Sequence, residues 1–340
     1  MCTSFKVVSQ DKAVVIGRSM EFGYDLQSKL LIFPRNYTYT AQSLPDQNLK
    51  PLTWKGKYGV VGLNGFNQVM ISDGINESGL WIGCLYLPGY AKYQIPTPEL
   101  SGKLVSQIDF ALWVLSNFEN VAEVKKGIQD IAVWGMEFGE LGMIPLHFPI
   151  HDATGGSILV EYTDGKLHIF DNPLGVVTNS PDFTWHLTNL GNYANLSATN
   201  VPGITIQGET IKPIGQGSGM LGLPGDFTPP SRFIRAIALS QSAVPSKNAE
   251  EEVKTAFHIL GSFDIPVGLT REKHGDKIFY EDTQWMTVSD LQNKVYYVKT
   301  YEEPGAQRIK LSNLNFEDST LKTVEITNAN WCKELTASAS

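Results

Sequence analysis

The sequence predicts an α+β protein in which antiparallel sheets carry helices on their outer faces. Three observations predict it. Strand-like runs come in blocks, pairs of helical segments separate the blocks, and the strict strand–helix alternation of a doubly wound parallel sheet is missing. The 340 residues are 42% apolar and 18% charged, an ordinary globular composition that can bury a sizeable core. No internal repeat appears and no linker cuts the chain. Residues 1–340 therefore read as a single domain, ending in a small polar tail, Thr336–Ser340, expected to fray.

The chain opens on two apolar runs, residues 2–8 and 13–20, around the polar group Ser9-Gln10-Asp11-Lys12, which signals a hairpin. Pairing Val8 with Ala13 makes paired positions sum to 21, sets Cys2 opposite Ser19 and leaves Arg18 diagonal to Cys2. Further strands are expected at 29–33, 58–63, 68–72 and 80–85, with Asn64-Gly65 and Asp73-Gly74 as turns. Val105, Ile108, Ala111, Leu112 and Leu115 recur at helical spacing and predict a helix over 105–115. Asn120 is a good N-cap for a second helix running through Ile131. Strands resume at 157–162, 167–171 and 175–178. Residues 189–225, rich in Gly, Asn, Ser and Pro, read as a long excursion with one strand at 204–207. Pro229-Pro230-Ser231 opens a helix through Ala243, and Ser246 caps another through Leu260. The last strands are expected at 285–290, 294–301 and 308–311.

Several function classes fall away on composition. A net charge of −8 without any Lys/Arg-rich run argues against nucleic acid as a partner. Cys2, Cys84 and Cys332 are too few and too scattered for a disulfide framework or a zinc site. Cys84 lies in an apolar run and reads as an inert buried thiol, while Cys332 near the tail has no evident partner. His147, His151, His168, His186, His258 and His274 show no metal-ligand spacing, so neither a metal nor an organic cofactor is expected. No stretch approaches the roughly 20 apolar residues of a membrane span. Strand-like sequence begins at once, which points to the cytoplasm, or to the periplasm or secretion if Met1 replaces a removed leader.

Cys2 is the residue with chemistry to explain. Removal of Met1 would leave it with a free α-amino group, which titrates near ~7.7–8.0 and so accepts a proton at neutral pH. Its thiol, of ordinary pKa about 8.5, yields thiolate readily beside a base or cation. One residue then supplies nucleophile and base together. Arg18, in Gly17-Arg18-Ser19-Met20-Glu21-Phe22, would favour the thiolate, and Glu21 could hold the amine or orient the arginine.

These residues resemble the opening of the choloylglycine hydrolase family, which holds bile salt hydrolases and penicillin V acylases. The likeness continues through Asp73-Gly74-Ile75-Asn76-Glu77-Ser78-Gly79-Leu80, Leu85-Tyr86-Leu87-Pro88-Gly89-Tyr90, and the run from Asp171 to Pro181. It extends to Gly222-Leu223-Pro224-Gly225-Asp226-Phe227, Pro230-Ser231-Arg232-Phe233 and Thr283-Gln284-Trp285, reaching about Leu311. The resemblance implies a four-layer αββα sandwich, two antiparallel sheets flanked by helices, with the nucleophile at the end of a strand between the layers. It implies an amide hydrolase in which Cys2 is nucleophile and base, Arg18 supports the thiolate, and Asn179 and the Tyr86 N–H form the oxyanion hole. Arg232 matches an active-site arginine. Glu21 stands where the family usually has aspartate, one methylene longer.

Tyr86 stands where bile salt hydrolases typically carry asparagine and penicillin V acylases tyrosine, and so leans toward the acylases. Phe22, Tyr24, Trp81 and Tyr86 add aromatic surface suited to an apolar acyl group. Phenoxyacyl penicillins, conjugated bile salts and N-acyl homoserine lactones all remain candidate substrates. Two other readings are a papain-like hydrolase built on Cys84 and a catalytically silent acyl-ligand binder. The likeness also implies a homo-oligomer, a tetramer, with segment 189–225 meeting neighbouring subunits.

Overall fold

A computed structural model describes residues 1–326; the expected frayed tail at Thr336–Ser340 and Cys332 lie outside the described residues. The chain folds as two antiparallel sheets stacked face to face, with helices against their outer faces. The first sheet runs in the order Cys2–Val8, Val14–Phe22, Lys277–Asp290, Val295–Thr300, Gln307–Lys310, with Thr270–His274 paired to the start of Lys277–Asp290. The second runs Lys166–Asp171, Ser157–Thr163, Leu146–Asp152, Leu80–Gly83, Asp73–Asn76, Val60–Leu63, Leu30–Phe33, Lys322–Val324. The helices Pro229–Ser242 and Ala249–Leu260 pack on the first sheet, and Phe110–Asn117 and Val121–Gly127 on the second. These four layers are those the sequence implies. Among the described residues no helix is long and apolar enough to cross a membrane.

The core divides as the layers require. Phe5, Val15, Phe233, Val253 and Leu260 join the first sheet to its helices, while Val60, Ile82, Phe110, Trp113 and Phe148 do so for the second. Each side chain of this kind contributes about 1.5–3 kcal/mol by leaving water. Glycine permits close approach at one place near the site. Gly62 and Gly74 face each other, and a Cβ on Gly62 would stand 2.4 Å from the Asp73 carbonyl oxygen.

The first hairpin forms one residue out of the expected register. Val8 pairs with Val14, not Ala13, so Cys2 lies opposite Met20. The Ser9 hydroxyl accepts from the Ala13 N–H at 3.0 Å and Lys12 takes a left-handed φ of 70°, which widens the turn by a residue. The shift matters because side chains alternate faces. In the expected register Arg18 would point away from Cys2; in the observed one both face the second sheet.

Other elements move for local reasons. The strand expected at 68–72 forms instead at Asp73–Asn76, because Phe66 and Asn67 adopt left-handed φ and spend the preceding residues on a loop. Residues 104–106 join a two-stranded parallel sheet with Ala132–Trp134, and the helix starts only at Phe110. Residues 80–85 break into Leu80–Gly83 and Leu85–Tyr86. The second helix keeps its Asn120 cap but ends at Gly127, and Asn248, not Ser246, caps Ala249–Leu260. Residues 175–178 make only an isolated bridge, Ser4 with Val177. Leu146–Asp152, every residue buried, and the helix Phe183–Leu190 were not foreseen. A buried strand without alternation carries little periodic signal.

Candidate active site

Cys2 starts the first strand and is 2% exposed, with its side chain between the two sheets. Arg18 comes from the neighbouring strand and reaches it from behind. One guanidinium nitrogen, Nη2, lies 3.7 Å from the Cys2 sulfur and also donates to the Cys84 carbonyl. The other, Nη1, donates to the Ser72 carbonyl and approaches Asp73 at 3.4 Å, and the guanidinium stacks over the Trp285 ring at 5.0 Å. Asp73 is in turn bonded by Tyr296 at 2.7 Å and Thr287 at 3.1 Å. Burial works against the Arg18 charge, but Cys2, Asp73 and Cys84 more than offset it and raise its pKa above the ordinary arginine value. A fixed cation therefore sits beside the thiol.

Asn179 holds the other side of Cys2. Its Oδ1 accepts from the Cys2 N–H at 2.8 Å and from Arg232 Nη2 at 2.7 Å, and its Nδ2 donates to the Tyr86 carbonyl at 2.7 Å. In an extended strand a residue's N–H and C=O point to the same side. Tyr86 thus turns its N–H toward Asn179, while the next N–H, of Leu87, goes the other way to Pro145 O at 2.8 Å. Arg232, fully buried in the first turn of Pro229–Ser242, does not open onto solvent. It donates to Phe227 O at 2.8 Å, Thr3 Oγ1 at 2.9 Å and the Cys2 carbonyl, so it clamps the backbone at Cys2.

Glu21 is buried on the strand next to Cys2. Its carboxylate accepts from Thr283 Oγ1 at 3.4 Å through one oxygen, while the other, Oε2, has no hydrogen-bond partner among the described residues. Burial raises its pKa, against the pull of the N-terminal ammonium and Arg232. Met1 extends the first strand past Glu21: the Glu21 N–H donates to Met1 O at 2.9 Å, and the Met1 ammonium donates to Glu21 O and lies 3.7 Å from Glu281.

Two adjoining hollows open beside Met1 and Tyr86. One, of about 580 Å3, is lined by Met1, Tyr86, Asn179, Phe227, Leu269 and Glu281 among others. The second, about 390 Å3, has an aromatic wall of Phe22, Tyr24, Tyr86 and Phe279. Phe22 meets Tyr86 edge-on at 6.1 Å, and Tyr24 lies 4.8 Å from Phe279. A β-bulge fixes this wall. Gln284 is the extra residue between Thr283 and Trp285, and its side chain bonds Leu26 N, Phe22 O and Tyr24 O at 3.0, 3.0 and 2.6 Å.

Of the residues singled out in the sequence, Cys2, Arg18, Glu21, Asn179, Arg232 and Tyr86 converge, with Phe22 and Tyr24 beside them. Trp81 does not join them. It is fully buried between the sheets, stacked on His151 at 5.4 Å, and lines neither hollow. Cys84 is buried with its sulfur 3.3 Å from Ile71 O, and burial pushes its thiol up to about 12. Asp73, Thr283, His147 and His186 belong to the site but were not singled out. His147 Nε2 bonds Thr178 O at 3.1 Å, and His186 Nε2 bonds Asn179 O at 2.8 Å, fixing the backbone that aims the Asn179 side chain. Nothing in the local sequence marks those two histidines: His147 reaches Thr178 from 31 residues away, and His186, seven residues from Asn179, turns back from a helix the sequence did not announce.

Known proteins share this geometry and sequence. A family model described as linear amide C–N hydrolases, choloylglycine hydrolase family, matches residues 2–324. The bile salt hydrolase/transferase of Clostridium perfringens is 35% identical over 329 residues, covering 95% of this chain and 96% of that protein. The crystal structure of the C2A mutant of conjugated bile acid hydrolase from Clostridium perfringens superposes with a TM-score of 0.83 at 33% identity, covering 96% of this chain and 98% of that one. Penicillin V acylase from Agrobacterium tumefaciens gives 0.77 at 26% identity, over 95% of this chain and 91% of that one.

Proposed function

This chain belongs to the choloylglycine hydrolase family of linear amide C–N hydrolases, and on that premise we propose that Cys2, freed of Met1, is the nucleophile. The observation that carries this is the Arg18 guanidinium 3.7 Å from the Cys2 sulfur, held there by two carbonyls and Asp73. The thiolate attacks the amide carbonyl carbon. Asn179 Nδ2 and the Tyr86 N–H receive the developing oxyanion, with Asn179 exchanging its bond to Tyr86 O for one to substrate. The α-ammonium of Cys2 then gives its proton to the leaving amine, and water hydrolyses the thioester with the amine as base.

Glu21 takes the α-amino group through Oε2, the oxygen without a hydrogen-bond partner among the described residues. Arg232 is a positioning residue, because it is fully buried and its three guanidinium nitrogens are engaged by Phe227 O, Cys2 O, Thr3 Oγ1 and Asn179 Oδ1. The acyl group enters the aromatic hollow of Phe22, Tyr24 and Tyr86. Tyr86 favours phenoxyacyl amides; the relatedness to conjugated bile acid hydrolase supports bile salts as the second reading.

Intact-mass measurement on the purified chain, followed by turnover of phenoxymethylpenicillin, a glycine-conjugated bile salt and an N-acyl homoserine lactone, tests the proposal. Loss of Met1, activity on at least one amide and abolition by Cys2→Ala are expected. Full activity with Met1 retained, or an undiminished Cys2→Ala rate, would overturn it.

A further inference from the structure

Residues 22–29 cross from the first sheet to the second as a strap with a hollow on either side. Phe22, Gly23 and Tyr24 line the aromatic hollow of about 390 Å3, and they also line a larger one, of about 730 Å3, that Gln284 shares. The far end of the strap is tied down beside the second sheet. The Lys29 N–H donates to Asn64 Oδ1 at 2.7 Å, Ser28 Oγ to Asn64 O at 2.8 Å, and Trp285 Nε1 to Ser28 Oγ at 3.1 Å. The near end is held differently. Among the described residues Gly23, Tyr24 and Asp25 make no backbone–backbone hydrogen bond, and Tyr24 is 42% exposed.

Gln284 holds that end. Thr283 pairs with Glu21 and Trp285 with Met20, so Gln284 is the residue that the ladder to Val14–Phe22 skips. Its carbonyl accepts from the Tyr301 N–H at 3.1 Å, which fixes its backbone and leaves its side chain to reach the strap. A carboxamide offers one acceptor oxygen and two N–H groups, and the strap uses all three. Oε1 accepts from the Leu26 N–H at 3.0 Å, while Nε2 donates to Phe22 O at 3.0 Å and to Tyr24 O at 2.6 Å. These bonds set Phe22 and Tyr24 as a unit. Their rings lie 5.9 Å apart, with Phe22 edge-on to Tyr86 at 6.1 Å and Tyr24 against Phe279 at 4.8 Å.

We infer that Gln284 is a specificity-determining residue for the acyl half of the substrate: it pins the strap that walls the aromatic hollow, and so decides which acyl groups that hollow prefers. The inference rests on the amidase reading above. Gln284 lies outside the lining of the aromatic hollow and of the Met1 hollow. It acts through Phe22 and Tyr24 and is therefore a positioning residue. A wall fixed in advance favours a flat aromatic acyl group, whose ring contacts then cost no ordering of the strap. A flexible alkyl chain gains less from the same wall. With the strap released, Tyr24 is free to retreat toward the larger hollow, and the preference falls. The chemistry at Cys2 stands, because Cys2, Arg18 and Asn179 hold one another through bonds that do not pass through Gln284.

The test uses the Met1-free chain and two amides of glycine, one phenoxyacetyl and one hexanoyl. The parent is expected to prefer the phenoxyacetyl amide in kcat/KM. Gln284→Met keeps the side-chain length without the hydrogen bonds. It is expected to raise KM for the phenoxyacetyl amide roughly tenfold, equivalent to about 1.4 kcal/mol, with kcat and both constants of the hexanoyl amide within about threefold. Gln284→Glu keeps the acceptor and loses both donors; it is expected to move the ratio the same way, and it decides the matter if the methionine variant does not fold. A parent without the phenoxyacetyl preference, a folded variant with the parental ratio, or an equal fall in kcat for both amides overturns the inference and leaves the amidase intact. No turnover of any amide, with Cys2 shown to be N-terminal, overturns the amidase. Calorimetric binding of both amides to the Met1-free Cys2→Ala chain, with and without Gln284→Met, then decides the inference by itself.

Discussion

Asn179→Asp separates two jobs that the asparagine does with its two ends. Its oxygen accepts from Cys2 N–H at 2.8 Å and from Arg232 at 2.7 Å; its nitrogen donates to Tyr86 O at 2.7 Å. Aspartate keeps the two acceptor bonds and loses the donor. Losing the donor removes a bond worth about 1 kcal/mol and strands the Tyr86 carbonyl at a further cost of about 1–3 kcal/mol. Against this, the Arg232 bond becomes fully charge-assisted and roughly doubles in strength. The net change in stability is expected within about 2 kcal/mol. Catalysis does not have this compensation, because a carboxylate cannot donate to an oxyanion, and kcat is expected to drop roughly 10²–10³-fold, about 2.7–4 kcal/mol. Asn179→Ala shares the catalytic loss but drops all three bonds, so it is expected to lose about 3–5 kcal/mol of stability. Urea unfolding followed by tryptophan fluorescence, with single-substrate kinetics on the Met1-free chain, reads both quantities. An aspartate variant within tenfold of the parent kcat, or equal stability of the two variants, would refute the reasoning.

Other expectations follow from burial. His151 is fully buried with both ring nitrogens unpartnered among the described residues, and burial holds its pKa down to about 3 from 6.5. The unfolded chain takes up that proton first, so the fold loses about 1.4 kcal/mol per pH unit between those values. His151→Phe, still stacked on Trp81, is expected to remove that loss; unchanged acid sensitivity in urea titrations would count against it. Glu21 behaves oppositely, since burial raises its pKa above 4.5 and the fold loses stability as pH rises from there through the raised value. In the chain retaining Met1, Glu21→Gln should therefore gain on the parent between pH 4 and pH 8, and a flat or shrinking difference in urea midpoints would argue otherwise. Cys84→Ser is expected to keep its turnover, because a thiol held up to about 12 is neutral at working pH; loss of turnover would restore the papain-like reading. Gly62→Ala is expected to destabilise by about 1–3 kcal/mol, since its Cβ would press on the Asp73 carbonyl, and an unchanged unfolding midpoint would show that the strands give way.

Much of the site was legible because the chemistry is concentrated at Cys2 and repeated in short motifs. What the motifs could not show is how side chains cross the fold. Arg18 was placed near Cys2 on a register that would have turned it to the other face; the widened turn at Ser9–Ala13 is what brings the two together. Trp81 and Tyr86 sit in the same apolar stretch, and only the break between Leu80–Gly83 and Leu85–Tyr86 separates a core residue from one at the cleft.

By itself the sequence determined the layered α+β fold and singled out Cys2 as the candidate nucleophile. Block order, turn residues and a thiol beside a removable methionine are properties of neighbours along the chain. Tertiary structure alone decided the partners of Arg18, the clamp that Arg232 closes on Cys2, and the histidines behind Asn179. It also decided where the bulge aims the Gln284 side chain. The Arg232 clamp spans 230 residues, and even between neighbouring strands a one-residue change of register reverses which side chains can meet.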